Sequence, residues 1–482
     1  MKFTMGNSNR PLVEALLKFN AANPVSFHVP GHKGGSLSGL PSDLRSVLRY
    51  DLTELTGLDD LHEPDGAIDE AQRKLSSFYG SDQSFFLVNG STVGNLAMIY
   101  ATCGVGDTII VQRNAHKSVF HAIELTGARP VLVAPGWDQT TKTAGLMTVV
   151  QIREALVAYP DAKAVVVTHP TYYGTTGEGL EEMIKACHTY GVPVLVDEAH
   201  GAHFAVGKPF PRSALDMGAD VVVHSAHKTL PAMTMASFLH VRSDLVSTER
   251  VAHYLQMLQS SSPSYVLMAS LDDARAYIET YDGDDKVLFI ERRLAFIERL
   301  ATIPGLQVIG SNDPLKLIIR VKDCSGFELQ RELEVEGIYA ELADPYQVLF
   351  VLPLLKVGTD YPFEEIAKRM ESAVTRLHLV REKRNVLEMP LLNEGISYLT
   401  YTARQMVQME TEWISYDEAV GRVVAASIIP YPPGIPLLIG GEKIGDGHIQ
   451  TLMNLLQMGA KFQGAIRVDE GQIVVVKEGT EE

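Results

Sequence analysis

At 482 residues, 46% of them hydrophobic, the chain is long enough to bury a large core and to form two or three domains. A formal net charge of −17 at pH 7 argues against a nucleic-acid or anionic-membrane partner, because phosphate surfaces attract clustered lysine and arginine. No apolar run is long enough to span a membrane, the N-terminal MKFTMGNSNRP holds no signal-peptide core, and Cys103, Cys187 and Cys324 are scattered without disulfide or metal spacing. A cytoplasmic protein with reduced thiols is expected.

In chain order, residues 1–60 read as an N-terminal arm: an initial helix, the glycine-rich turn HVPGHKGG and the acidic stretch DLTELTGLDD. Between about 84 and 241, the runs SFFLV, TIIVQ, PVLVA, AVVVT, PVLVD, DVVVH and ASFLHV alternate with helical patterns. That alternation predicts an α/β domain over 61–285, with a mostly parallel seven-stranded sheet and helices on both faces. LQVIG, KLIIRV, GIYAELAD and QVLFVLP, closed by a helix near 363–378, predict a small α+β domain over 286–384. The basic cluster RLHLVREKR at 376–384 reads as a solvated helix end running into a linker. A C-terminal α+β domain over 385–482 follows, with QGAIRV and QIVVV as strands.

Four segments carry candidate chemistry. FFLVNGSTVGNLAMIYA at 85–101 reads as a strand, a turn and an apolar helix, with Ser91 and Thr92 at the helix start, where free amides favour a phosphate; an ordinary N-cap is the plain alternative. Gly90 and Gly94 permit close backbone approach. VQRNAHKSVFHAIE at 111–124 places His116 after another strand, as a stacking imidazole or a helix cap; His121, five residues on, points elsewhere on a helix and makes a poor metal pair with it. PVLVDEAHGAHF at 193–204 ends a buried-type strand in Asp197, Glu198, Ala199 and His200, at the strand end where open α/β sheets bind ligands. The alternatives there are a helix cap or a metal site, and no second acid and histidine cluster stands ready to complete a metal site.

DVVVHSAHKTLP at 220–231 is the most informative stretch, because an apolar strand delivers Ser225, His227 and Lys228 into a polar turn. A hydroxyl and an imidazole there suit a phosphate, and the lysine beside them suits covalent attachment of pyridoxal 5′-phosphate (PLP). PLP needs a carboxylate against its pyridine nitrogen, a role that fits Asp197, and a flat small neighbour for its ring, a role that fits Ala199. A solvated lysine in a surface loop is the plain alternative for Lys228.

Together these segments resemble the PLP-dependent ornithine/lysine/arginine decarboxylase family of fold type I, the aspartate-aminotransferase-like fold. The resemblance also runs through FHVPGHKGG at 27–35, LTGLDDLHEPDGAIDEAQ at 55–72, HPTYYG at 169–174, SSSPSYVLMASLD at 260–272 and IIPYPPGIPLLIGGEKI at 428–444. It implies that Lys228 holds the cofactor, Asp197 pairs with the pyridine nitrogen and His116 stacks on the ring. Ser91, Thr92, Ser225 and His227 then hold the phosphate, and His200 reaches the ring hydroxyl. The serines at 260–262 complete the phosphate site of a neighbouring subunit, so a homodimer or dimer of dimers is expected. With HVPGH beginning at 28, no room remains for the N-terminal wing domain of the larger members. The implied reaction turns arginine, lysine or ornithine into the corresponding amine and carbon dioxide.

A distal cation needs a carboxylate: Glu442 is the first candidate, and Asp60, with Asp59, the second. A solvated acid and helix capping are their plain readings. Pro430, Pro432 and Pro433 are expected to fix a rigid path to Glu442, with Tyr431 either presenting that turn or packing. Two rival functions stay open. Arg320, in KLIIRV, offers a carboxylate clamp for a PLP aminotransferase or other PLP lyase; a non-catalytic PLP-binding regulator needs a DNA-binding domain that the arm and the charge do not supply.

Overall fold

The computed structural model describes residues 9–177, 179–379, 395–431 and 434–479. All seven runs read as core strands form strands: β1 (Gln83–Leu87), β2 (Thr108–Gln112), β3 (Arg129–Val133), β4 (Ala164–Thr168), β5 (Val194–Asp197), β6 (Val221–His224) and β7 (Ser237–Val241). Their β-branched composition suits a pleated, doubly covered surface, and β4, β5, β6 and β7 are buried at every position.

Compact units do not follow sequence order. The chain divides into one unit of residues 1–102, 193–208 and 212–281, and a second of 103–192, 209–211 and 282–482. In the first, the strands lie in the order β1-β7-β6-β5. β5 and β6 run parallel with Asp197 opposite Val223, whereas β7 is antiparallel to both β6 and β1. Helices Ala67–Tyr79, Gly90–Thr102, Thr248–Leu258 and Tyr265–Glu279 belong to this unit. Helix Gly90–Thr102 lies hard against the sheet: a Cβ at Gly94 would stand 2.8 Å from Val223 and 2.9 Å from Leu87.

In the second unit, β2 pairs in parallel with β3 and β4. β8 (Leu306–Ile309), β9 (Lys316–Val321), β10 (Leu342–Ala343) and β11 (Val348–Val351) form an antiparallel sheet in the order β8-β9-β11-β10, with helices Gly283–Ala301, Gly326–Val335 and Phe363–Leu379. Capping boxes at Asp282 with Asp285 and at Ser325 with Glu328 start the first two of those helices. β12 (Ile396–Tyr398) adds antiparallel to β3, a strand not among those expected from the sequence. The C-terminal region builds its own core, including Val424, Ile428, Leu438, Leu452 and Val475. Around that core lie β13 (Thr411–Ser415), β14 (Ile428–Pro430), β15 (Phe462–Gly464), β16 (Ile466–Arg467) and β17 (Gln472–Val476), with helix Asp446–Met458. Residues 380–384 of the basic cluster, Pro432 and Pro433 lie outside the described residues.

Candidate active site

The C-terminal ends of β5 and β6 bring most of the expected residues together. Asp197, closing β5, is buried; its Oδ1 accepts the backbone N–H of Ala199 at 3.1 Å. The Ala199 carbonyl accepts the N–H of Ser225 at 3.2 Å, and the Ser225 carbonyl accepts the N–H of Lys228 at 3.1 Å. A chain of short-range hydrogen bonds therefore links the carboxylate on one strand to the lysine beyond the next. Lys228 Nζ lies 2.9 Å from His200 Nε2, with His200 buried and Lys228 half-buried. The lysine is thus held inside the site and is not a solvated surface group.

Ser225 Oγ donates to Ser91 Oγ at 2.8 Å. That contact joins the β6 turn to the first turn of helix Gly90–Thr102, with Ser91 half-buried and Thr92 exposed beside it. Two hydroxyls and the free amides of a helix N-terminus make a set of donors suited to a phosphate. Gly90 has φ +73° and donates its N–H to the Met235 carbonyl at 2.9 Å, a left-handed conformation that glycine adopts without strain. His227 is turned back on the chain, its Nδ1 3.0 Å from the Ala236 carbonyl.

One residue of the site escaped sequence reasoning. Asn95 Nδ2 donates to Asp197 Oδ2 at 2.8 Å, with both side chains buried. Asn95 falls one helical turn after Ser91 and beside Gly94, so its signal was the i, i+4 spacing from a proposed phosphate ligand.

The metal alternative fails on geometry. Glu198 turns away from Asp197 and is bonded to His224 Nε2 at 2.7 Å, Ser213 Oγ at 2.6 Å and the Ala214 N–H at 2.9 Å, all buried. His224 Nδ1 in turn meets His240 Nε2 at 3.1 Å, and His240 Nδ1 meets Ser84 Oγ at 2.7 Å. Tyr79 packs 4.3 Å from the His240 ring, centroid to centroid. Burial, with the neighbouring His224, holds the His240 imidazole well below its ordinary range.

In the second unit, His116 caps helix Lys117–Thr126, its Nδ1 2.8 Å from Ser118 Oγ and accepting the Ser118 N–H. The capping alternative is therefore met, and the ring remains half-buried. Tyr431 packs under the Lys117 ammonium, 4.8 Å from the ring centroid.

Glu442 departs from its expected role. It is buried, and its carboxylate is gripped by Arg113: Nη2 to Oε2 at 2.7 Å and Nε to Oε1 at 3.2 Å. Oε2 also accepts the Ile439 N–H at 3.0 Å, so the buried carboxylate is committed to an internal bidentate pair and not presented to a substrate cation. Asp59 is likewise spent: its side chain accepts backbone N–H groups of Asp60, Asp65, Gly66, Ile68 and Asp69, capping the start of helix Ala67–Tyr79. Burial opposes its ionisation, but those bonds hold the carboxyl below its usual value. Asp60 is half-buried, and its Oδ1 accepts the His62 N–H at 2.9 Å. Arg320, the candidate clamp, donates twice to Gln347 Oε1, at 3.0 and 2.7 Å, and once to the Thr140 carbonyl at 2.9 Å. Gln347 in turn bonds Asp344, which receives the Tyr173 hydroxyl, so the half-buried guanidinium is tied into a polar network.

Comparison with known proteins identifies the family. Residues 10–300 match the major domain of the Orn/Lys/Arg decarboxylases and 394–467 match their C-terminal domain. The chain belongs to the Orn/Lys/Arg decarboxylase family. Arginine decarboxylase of Bacillus subtilis (strain 168) is 35% identical, over 98% of this chain and 99% of that one. "Uncharacterized protein YaaO" of the same organism is 47% identical, over 97% of this chain and 98% of its own. The solved constitutive lysine decarboxylase of E. coli shares the fold, with a TM-score of 0.77 over 97% of this chain and 82% of that chain at 21% identity. The fold is thus the α/β, aspartate-aminotransferase-like fold expected from the sequence, and membership makes the protein an amino-acid carboxy-lyase acting on a basic amino acid.

Proposed function

We propose that the protein converts L-arginine to agmatine and carbon dioxide, with PLP attached at Lys228. The observation that carries the cofactor assignment is the hydrogen-bonded path from Asp197 through Ala199 and Ser225 to Lys228. It ties a buried carboxylate at the end of one strand to a phosphate-type donor set and a lysine at the end of the next. The relatives named arginine decarboxylase support the substrate.

When bound, PLP supplies an electron sink for the pair left on Cα as carbon dioxide departs. The residues around it have separable tasks. Asp197, oriented by Asn95 and the Ala199 amide, keeps the pyridine nitrogen protonated. Ser91, Thr92, Ser225 and His227, with the helix amides, would hold the phosphate, and Ala199 and His116 would be the residues that pack on the ring. Lys228 returns the proton to Cα, and His200 shares that proton across their 2.9 Å contact. Arg320 is committed to Gln347, which leaves the substrate carboxylate without that arginine clamp and favours its loss over transamination. With Glu442 and Asp59 both spent, Asp60 is our candidate for the distal guanidinium.

We further propose a homodimer or dimer of dimers in the cytoplasm, without nucleic-acid or membrane partners. Val25, Phe27, Val29 and Leu37 of the arm are at least 65% exposed, an apolar surface suited to a second copy of the chain. Ser260, Ser261 and Ser262 are exposed beside His62, whose Nε2 lies 2.9 Å from the Ser260 carbonyl, and we assign them to a neighbour's phosphate. In functional terms we divide the chain into the arm (1–60), the PLP-binding domain (61–285), the small domain (286–384) and the C-terminal domain (385–482).

The test is release of labelled carbon dioxide from carboxyl-labelled arginine by the PLP-loaded protein, with Lys228→Ala as control. The unmodified protein should release it and show a visible absorbance that borohydride reduces. Persistence of that reducible absorbance in Lys228→Ala would sink the assignment of Lys228.

A further inference from the structure

The carboxylate that sequence reasoning assigned to the substrate has another task. Arg113 follows directly on β2, three residues before His116, and its side chain and that of Glu442 are 6% and 7% exposed. The guanidinium makes four hydrogen bonds, all to one short C-terminal segment: two to the Glu442 carboxylate, one to the Pro436 carbonyl at 3.0 Å and one to the Leu437 carbonyl at 3.1 Å. Glu442 then folds that segment on itself by accepting the Ile439 N–H and donating its own N–H to the Ile439 carbonyl at 2.9 Å.

The other end of the segment reaches the imidazole turn. The Gly434 carbonyl accepts the Lys117 N–H at 3.1 Å, on the residue next to His116. Gly434 has φ +92°, and a Cβ built there would stand 3.1 Å from His116 Nε2. Residues 434–442 are thus fastened to the turn 113–117 at both ends, by a buried bidentate ion pair at one and by backbone contact with the imidazole's own turn at the other. A bidentate pair fixes direction as well as distance, and burial removes the water that would let it slip.

We propose that Arg113 and Glu442 are positioning residues, a latch through which the C-terminal region sets the orientation of the His116 ring. The inference rests on the reading of His116 as the residue stacked on the cofactor. Its chemical content is that Glu442 acts on the reaction through Arg113 and His116 and does not meet the substrate cation.

The two roles give opposite kinetics. Loss of a substrate-binding carboxylate raises KM and alters the ranking of arginine, lysine and ornithine. Loss of a latch leaves KM and ranking alone and lowers kcat, because the ring is held less well at the reacting centre; a misplacement of about 1 Å costs on the order of 100-fold. The experiment compares the PLP-loaded full-length protein with Glu442→Gln, the double variant Arg113→Met/Glu442→Met, and Gly434→Ala. It reads kcat, KM, the visible circular dichroism of the cofactor and thermal unfolding.

For Glu442→Gln we expect a kcat lowered by about 10- to 100-fold, an altered visible circular dichroism, and an unchanged KM and ranking. Gly434→Ala should do the same with the ion pair intact, which decides the matter if Glu442→Gln fails to fold. The double variant should fold better than Glu442→Gln while staying slow, because it strands no buried charge. A raised KM with altered ranking, or unchanged kcat and dichroism in both Glu442→Gln and Gly434→Ala, overturns the latch. If instead the unmodified protein shows neither a cofactor band nor amine, the reading of the site fails, a separate outcome.

Discussion

Asn95 and Asp197 meet through a 2.8 Å hydrogen bond in a buried position, and the residue that lets them meet is Gly94. A Cβ at Gly94 would lie 2.8–2.9 Å from Val223 and Leu87, closer than packed atoms tolerate. The missing side chain lets helix Gly90–Thr102 settle on the sheet, which brings Asn95 to Asp197 and Ser91 to Ser225 together.

Gly94→Ala should therefore loosen both contacts at once. We expect a loss of about 1–3 kcal/mol in stability from overpacking and weaker PLP binding, measured by urea unfolding and by titration of the visible cofactor band. An unchanged PLP affinity would show that the helix position does not matter to the cofactor.

Asn95→Ala removes one partner of a buried carboxylate and should cost about 1–3 kcal/mol, with a drop in kcat and little change in KM. Asn95→Gln, which keeps the amide at the wrong reach, should recover stability only in part. Equal kcat in all three proteins would remove Asn95 from the site.

Breaking the Arg113–Glu442 pair from one side leaves a buried charge without its partner. Arg113→Met should cost about 3–5 kcal/mol in urea unfolding, and the double variant with Glu442→Met should recover most of it. Additive losses would show that the two side chains are not coupled.

The His240 imidazole is held neutral by burial and by His224, within a chain that also contains Glu198, Ser84 and Tyr79. Its folded pKa lies below the unfolded value of about 6.5, so the unfolded chain binds the proton first as the pH falls. Stability should be full above about pH 6.5 and decline below it, by up to about 1.4 kcal/mol per pH unit for this one group. Unfolding midpoints measured between pH 5 and 8 should show that decline, and His240→Gln should flatten it. An equal slope in the variant would place the titration elsewhere.

How far the sequence could be read follows from where each signal lies. The seven strands were legible because β-branched runs buried on both faces carry their own pattern. β12 was not, since three residues are too few to show an alternation. Lys228, Asp197, Ser225 and Ser91 stood at strand or helix ends, where ligands bind. The role of Asn95 depends on Asp197, 102 positions away, and that of Glu442 on Arg113, 329 positions away. Neither pairing leaves a local trace. For Asp59 the capping alternative prevailed because five backbone donors surround it, and for Arg320 the clamp was taken up by Gln347.

The most direct check is a parallel assay of amine and carbon dioxide with arginine, lysine and ornithine on the PLP-loaded protein. We expect equimolar agmatine and carbon dioxide from arginine at a kcat/KM above that for the other two. A keto acid without carbon dioxide, or no product despite a clear cofactor band, would contradict the decarboxylase assignment; preference for lysine or ornithine would contradict the substrate.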